Sequence, residues 1–490
     1  MSRKDWTSPA PLEIERPRLP WWTMLPKPVL TVLSPVIAVG VLAVAVNFAA
    51  RRVYRYPITL TTTTSLVVLG CWHGWWWSLG VALGVVAVLA GWWWRWRDSF
   101  TRTVGAQLAS EFRRVRVYAI VWRRTMRLSG IARRVGRSWY YPRLRRVRAD
   151  GWRDRVLVGL LHGQAPKDFE DRAAELAHAF GATSCRVRVD KPRRIWLDLI
   201  HRDTLAAPIA PPLLSAADAV VDLGRLVVGM VETGREFVLR LLGNHLLVVG
   251  STGAGKSSVV WALLWALAPA IRSGRVQVFG VDPKGGMELG RAPGLFTRLV
   301  YDNGPDAVEL LEHVATLTRQ RAAHFRESKK KAWTPESGQP FVLLVVDELA
   351  DVVAYQTDRN LKARANAALQ SITSQGRAPG VCVVGQVQDP RKAVLDFRHL
   401  FPTKIAMRLD EPDQVNLALG DGARARGAAA DEISDDTPGV AWVLSEGRRQ
   451  IDRVRAFHFD DAHLDELDAY VRDGSSPAVL PAPHRPEAAA

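Results

Sequence analysis

Residues 245–267 constrain this chain more than any other stretch. His245-Leu246-Leu247-Val248-Val249 is a short apolar run that reads as a buried strand. It runs into Gly250-Ser251-Thr252-Gly253-Ala254-Gly255-Lys256-Ser257-Ser258, after which Val259, Val260, Leu263, Leu264 and Leu267 recur at helical spacing. Strand, glycine-rich loop and helix in that order is the setting in which a loop cradles phosphates. The glycines let backbone N–H groups turn inward, and the helix N-terminus adds its dipole. Lys256 then reaches the β- and γ-phosphates and Ser257 holds Mg²⁺. Average residue usage produces the pattern by chance about 0.02 times in a chain this long. The fold it calls for is α/β, with ATP and Mg²⁺ as cofactors.

A second element completes the chemistry. Phe341-Val342-Leu343-Leu344-Val345-Val346 is wholly apolar and ends in Asp347-Glu348. Asp347 takes the Mg²⁺ side through water, and Glu348 polarises the attacking water as general base. A third apolar strand, 380–385, ends at Gln386, whose amide can sense the γ-phosphate through water or simply cap a loop. Before Asp347 there is no Leu-Ser-Gly-Gly-Gln signature, and nowhere an Asn-Lys-x-Asp guanine-reading motif. ABC transporters and GTPases are therefore poor fits.

The N-terminal part reads as a membrane anchor spanning residues 1–97. Val29 to Ala50 carries no charge and is about as long as the hydrocarbon core is thick. A second span at 75–94 is bracketed by Trp75-Trp76-Trp77 and Trp92-Trp93-Trp94, as an aromatic belt would be. Residues 58–74 are a loop or a short third span. An ATP site requires the later chain to be cytoplasmic, giving a multi-pass cell-membrane protein with its N-terminus inside. Arg51, Arg52 and Arg55 then fall on the wrong side.

Charge is concentrated just beyond. Residues 95–148 hold 16 Arg, no Lys and two acids, or +14 of the chain's net +17. Residues 98–142 read as an Arg-rich juxtamembrane helical linker. It is either a collar on anionic lipid head groups, which its position favours, or a track for nucleic-acid phosphates. Residues 143–205 alternate as a small α+β module, with Phe169, Ala173, Leu176, Ala177 and Phe180 at helical spacing between strands. A Pro/Ala linker at 206–217 leads to the P-loop domain at 218–470, and 471–490 reads as a disordered tail. Cys71, Cys185 and Cys382 are far apart and show no metal spacing.

These strings together resemble a known family. His245–Ser258, Val281-Asp282-Pro283-Lys284-Gly285-Gly286, Val346–Asp351 and Gln375–Gly380 are similar to the motor of FtsK/SpoIIIE-type DNA translocases. Gln388-Asp389-Pro390-Arg391-Lys392 and Phe401–Arg408 resemble, more narrowly, the Tra proteins of actinobacterial conjugative plasmids and integrative elements. The resemblance implies a RecA-like motor forming a hexameric ring on double-stranded DNA, with other transfer proteins as further partners. It maps Lys256, Ser257, Asp347, Glu348 and Gln386 onto the catalytic positions. It also implies an arginine supplied to a neighbour's γ-phosphate: Arg408 first, Arg377 second. Position 404 is Lys where many members have Arg, and Lys284 contacts nucleotide, a neighbour or solvent. The short stretch after Phe457 leaves no room for a sequence-reading winged helix. The function implied is DNA pumping in conjugal transfer. The alternatives are chromosome partitioning at a septum, a type VII-like secretion ATPase, or an ATP-binding membrane adaptor.

Overall fold

A computed structural model describes residues 75–96, 112–216, 219–391, 396–448 and 450–473. The chain divides into two compact units at Arg202/Asp203. The expected span at 29–50, the segment 58–74 and the tail beyond 473 lie outside the described residues.

The first unit begins with helix α1, Trp75–Arg95, where the second span was expected. Its Trp76, Leu79, Leu83, Val86, Val88 and Trp94 are exposed. Among the described residues, however, no helix is long and apolar enough to cross a membrane. Between its two Trp clusters α1 has only residues 78–91, about 21 Å of helix, short of the roughly 30 Å hydrocarbon core. The expectation of a spanning helix at 75–94 is corrected accordingly.

Residues 98–142 were set apart as a linker, but their second half belongs to the module. A π-helical turn, Arg114–Ala119, continues as α2, Ile120–Leu128. Tyr118, Trp122 and Met126, four residues apart on one face, are buried in the same core as the sheet that follows. A hairpin, β1 Arg133–Val135 and β2 Ser138–Tyr140, comes next. Then come β3 Arg143–Ala149, β4 Arg153–Gly159, the short helix α3 Ala173–Ala179, β5 Ser184–Lys191 and β6 Arg194–Ile200. The antiparallel sheet runs β3-β4-β6-β5. Val147, Val156, Leu197 and Val187 align across it and face the helices. At the rim of this core, buried Asp154 accepts from Tyr118 Oη at 2.6 Å and pairs with Arg113 at 3.0 Å and His201 at 3.1 Å. Cys185 lies in this core and Cys382 in the second unit; both are buried thiols.

The second unit is built on one ten-stranded sheet. Its strands are β7 Leu226–Val231, β8 Glu236–Leu239, β9 Leu246–Val249, β10 Val276–Val281, β11 Arg298–Val300, β12 Phe341–Val346, β13 Val381–Val387, β14 Thr403–Ala406, β15 Val440–Leu444 and β16 Ile451–Ala456. They run in the order β11-β10-β12-β13-β9-β14-β15-β16-β7-β8. The first six in that order are mutually parallel and the remainder antiparallel. Helices α4 Lys256–Arg272 and α7 Asp461–Arg472 pack on one face; α5 Pro305–Glu327 and α6 Arg359–Gln375 pack on the other. Covering both faces is what lets β12 be apolar throughout, with all six residues buried. The order has one consequence for chemistry: β13 separates β9 from β12, so the carboxyl ends of three neighbouring strands carry the glycine loop, Gln386 and Asp347-Glu348 side by side. Ligands bind outside the carboxyl ends of such strands.

Candidate active site

The loop after β9 closes as the sequence requires. Gly255 has φ 88°, and a Cβ there would stand 2.5 Å from the amide nitrogen of Gly439. Only glycine satisfies both the left-handed backbone and the close approach. In the first turn of α4 the Ser258 N–H donates to Gly255 O at 3.1 Å. Lys256 folds back on the loop, Nζ donating to the carbonyls of Gly250 at 2.9 Å and Ser251 at 3.2 Å. Burial lowers its pKa, while Glu348 and Asp347 act in the opposite sense.

Asp347 and Glu348 are 5% and 3% exposed. Burial, then the charges of Asp282 and Glu288, push the Asp347 carboxyl up to about 7. Glu348 is also raised by burial, with Lys284 opposing. Glu348 accepts from the backbone N–H groups of Ala350 and Gln388, both at 3.4 Å, and pairs with Lys284 Nζ at 3.5 Å. Gln386 is 1% exposed, and among the described residues neither atom of its amide has a hydrogen-bond partner. A buried amide without partners is expensive, and it marks a position where a ligand or its water completes the set.

Three residues that the sequence left unassigned join the site. Asp282, at the end of β10, accepts from the N–H groups of Lys284 at 3.3 Å, Glu288 at 3.0 Å and Leu289 at 2.9 Å. It thereby shapes the turn that delivers Lys284 and Glu288. Glu288 accepts from Ser257 Oγ at 2.6 Å, occupying the hydroxyl meant for the metal. Gln388 accepts from Thr252 Oγ1 at 3.2 Å. Asp282 carried a readable signal, an apolar strand ending in an acid. Glu288 and Gln388 carried none, since only the strand order brings their loops to the P-loop.

The expected arginines are placed differently from one another. Arg408 lies against its own chain's P-loop: Nη2 donates to Thr252 O at 2.7 Å, its carbonyl accepts from Ser251 N at 2.9 Å, and the guanidinium pairs with Asp435. Arg408 therefore lies against the P-loop of its own chain. Arg377 donates to Gly243 O at 2.6 Å and holds Glu446 at 2.7 Å and 2.8 Å, beside the opposite end of β9. Lys404 is half-buried in β14, with its pKa lowered by burial.

The donors suit Mg²⁺·ATP. Ser257 and Asp347 offer hard oxygen ligands, and an Asp347 carboxyl raised by neighbouring acids is relieved by a divalent cation. Among the described residues, no group of three His, Cys, Asp or Glu side chains could hold a metal ion. Mg²⁺ would therefore take much of its coordination from nucleotide phosphates and water, its usual habit. When bound, it would neutralise charge on the β- and γ-phosphates.

Two parts of the chain match known families. Residues 215–340 match the FtsK/SpoIIIE family, and residues 73–201 match the actinomycete conjugal transfer protein N-terminal domain. The chain therefore carries an FtsK/SpoIIIE-family domain behind a conjugal-transfer N-terminal domain, and is a P-loop ATPase. It is 27% identical over 358 residues to the transfer protein TraSA of Streptomyces ambofaciens, covering 69% of this chain and 83% of that one. It is 27% identical over 199 residues to the DNA translocase FtsK of Staphylococcus aureus, covering 36% of this chain and only 24% of that one. Among solved structures, the monomer form of the pCW3 conjugation coupling protein TcpA with ATPγS is similar, at 18% identity and a TM-score of 0.49. That match covers 68% of this chain and 93% of the other.

Proposed function

We propose that the chain is an ATP-driven translocase that moves double-stranded DNA in conjugal transfer. The observation that carries this reading is the alignment of loop, amide and acid pair on β9, β13 and β12. It supplies binding, a sensor position and a base, the three parts a motor needs. The N-terminal match to a conjugal-transfer domain supports transfer over chromosome partitioning. Lys256 and the loop N–H groups bind phosphates, Ser257 and Asp347 hold Mg²⁺, and Glu348 orients and deprotonates the attacking water. Gln386 reports the γ-phosphate. Arg408 steadies the P-loop of its own chain and is the first candidate for the arginine that acts between subunits of a ring.

Membrane attachment belongs to the same reading. The charge-free stretch 29–50 supplies the span, and α1, with Trp at both ends, suits an interfacial seat. A single span at 29–50 puts Arg51, Arg52 and Arg55 on the ATPase side, in line with the positive-inside bias. The test is ATP-dependent displacement of a third strand from a triplex at the end of a linear duplex. Displacement with ATP, and none with a non-hydrolysable analogue, supports translocation. Hydrolysis without displacement would leave an ATPase that does not move DNA.

A further inference from the structure

The small antiparallel sheet has a second face that the ATP site does not use. Opposite the core-facing residues, one row across the strands reads Arg148, Arg155, Asp198, Arg186, and the next reads Arg146, Leu157, Trp196, Arg188. Arg143 and Arg194 flank Gly159 in a third row. Two acids answer part of this charge: Asp198 pairs with Arg188 at 2.7 Å and Arg153 at 3.7 Å, and Asp150 with Arg155 at 3.0 Å. Among the described residues Arg143, Arg146 and Arg194 make no ion pair with an acid, and Arg148 is opposed only by the nearby charge of Asp150. Arg148 stands directly across from Arg155, a like-charge pairing that destabilises a sheet. Burial and the neighbouring Arg146 and Arg155 lower the Arg148 pKa accordingly. An anion on this face would relieve that repulsion.

We propose that this face docks the sugar-phosphate backbone of duplex DNA without reading its bases. Guanidinium forks match phosphate bidentately. Same-face residues along a strand stand roughly 7 Å apart, and neighbouring strands about 4.8 Å apart. The face is thus a grid of positive charge against a polymer carrying one negative charge per ~1.7 Å of axis. Single strands are a poorer fit, because a stacking platform is missing: Trp196 is half-buried and its indole N–H donates to Asp190 at 3.2 Å. A lipid surface is a poorer fit because the two apolar members of these rows, Leu157 and Trp196, are half-buried among arginines rather than projecting. The exposed Ile120, Leu128, Tyr140 and Val189 lie on α2, on the β1–β2 hairpin, or on the core-facing register of β5.

The test uses the full chain without nucleotide, titrated against a labelled random-sequence duplex at several salt concentrations. The triple variant Arg143→Gln/Arg146→Gln/Arg148→Gln should bind at least about tenfold more weakly, with a log–log salt slope shallower by about 2–3. The corresponding triple Lys variant should keep the slope, which separates charge from folding. ATP turnover without DNA should match wild type in both. An unchanged slope in the Gln variant overturns the proposal. So does a Gln variant that keeps duplex binding but no longer floats with vesicles of equimolar phosphatidylcholine and phosphatidylglycerol, which would make the face a lipid surface. Duplex binding here and DNA-stimulated turnover at the ATP site are read separately, so either can fail alone.

Discussion

The two sheets of this protein put their polarity in different places. In the parallel part of the large sheet, β9, β12 and β13 are buried on both faces, so almost every polar group is displaced to the carboxyl ends. That is where Lys256, Glu348 and their partners gather. Gln386 is the exception, an amide inside β13 with nothing to bond. In the small sheet, the described helices cover one face of β3 to β6, so polarity alternates along each strand and spreads over a surface. One arrangement makes a focused site that can exclude water and shift pKa values. The other makes a broad charged face with no pocket for chemistry. Both arise from the same rule, that each buried strand face must be apolar.

The largest test of this contrast is mutational. Leu343 and Leu344 are adjacent in β12 but belong to the cores on opposite faces of the sheet. Truncating either to Ala should cost about 2–5 kcal/mol, measured by denaturant unfolding. In β3 the neighbours should differ: Val147→Ala about 1–2 kcal/mol, and Arg148→Ala within roughly 0.5 kcal/mol. Equal losses at Val147 and Arg148 would break the distinction.

Next comes Lys256→Ala, which removes a strand-end charge and no core contact. Turnover should fall by about 10²–10³-fold, while the unfolding midpoint stays near wild type. A collapse of stability instead would make Lys256 structural.

A smaller effect concerns the other end of β9. His245 is fully buried, with Nδ1 accepting from Val383 N–H at 3.0 Å. Burial, then Arg377, pushes its pKa down to about 4 from 6.5. The unfolded chain therefore binds a proton between these values that the folded one refuses. Stability due to this residue is full above pH 6.5 and is lost as pH falls towards 4. Between pH 7 and pH 5 the loss should be about 2 kcal/mol, and His245→Gln should flatten it. A variant with the wild-type pH profile would remove His245 as the cause.

The same contrast explains what the sequence disclosed. Strand-end polarity next to a continuous apolar run is a local pattern, so Gly250–Ser257 and Asp347-Glu348 were legible without a fold. Glu288 and Gln388 were not, because they depend on β10 lying beside β12 and on β13 lying beside β9. Arg408 was legible as a site residue from its resemblance, but its contact with Thr252 was not, because only the pairing of β14 with β9 brings the two together. In the first unit, the stripe Tyr118, Trp122, Met126 was hidden among arginines, and a packed helix read as a linker. The Trp clusters of α1 read as belts of a spanning helix, yet the apolar stretch between them, residues 78–91, is shorter than a span requires.

The central claim is that the acids at the end of β12 turn nucleotide binding into DNA-coupled hydrolysis. Steady-state ATP turnover of the full chain, with and without double-stranded DNA, in wild type and Glu348→Gln, tests it most directly. The account predicts strong stimulation by DNA in wild type. In the variant it predicts loss of turnover by about 10²–10⁴-fold with ATP binding retained. Turnover indifferent to DNA, or a variant as active as wild type, would contradict it.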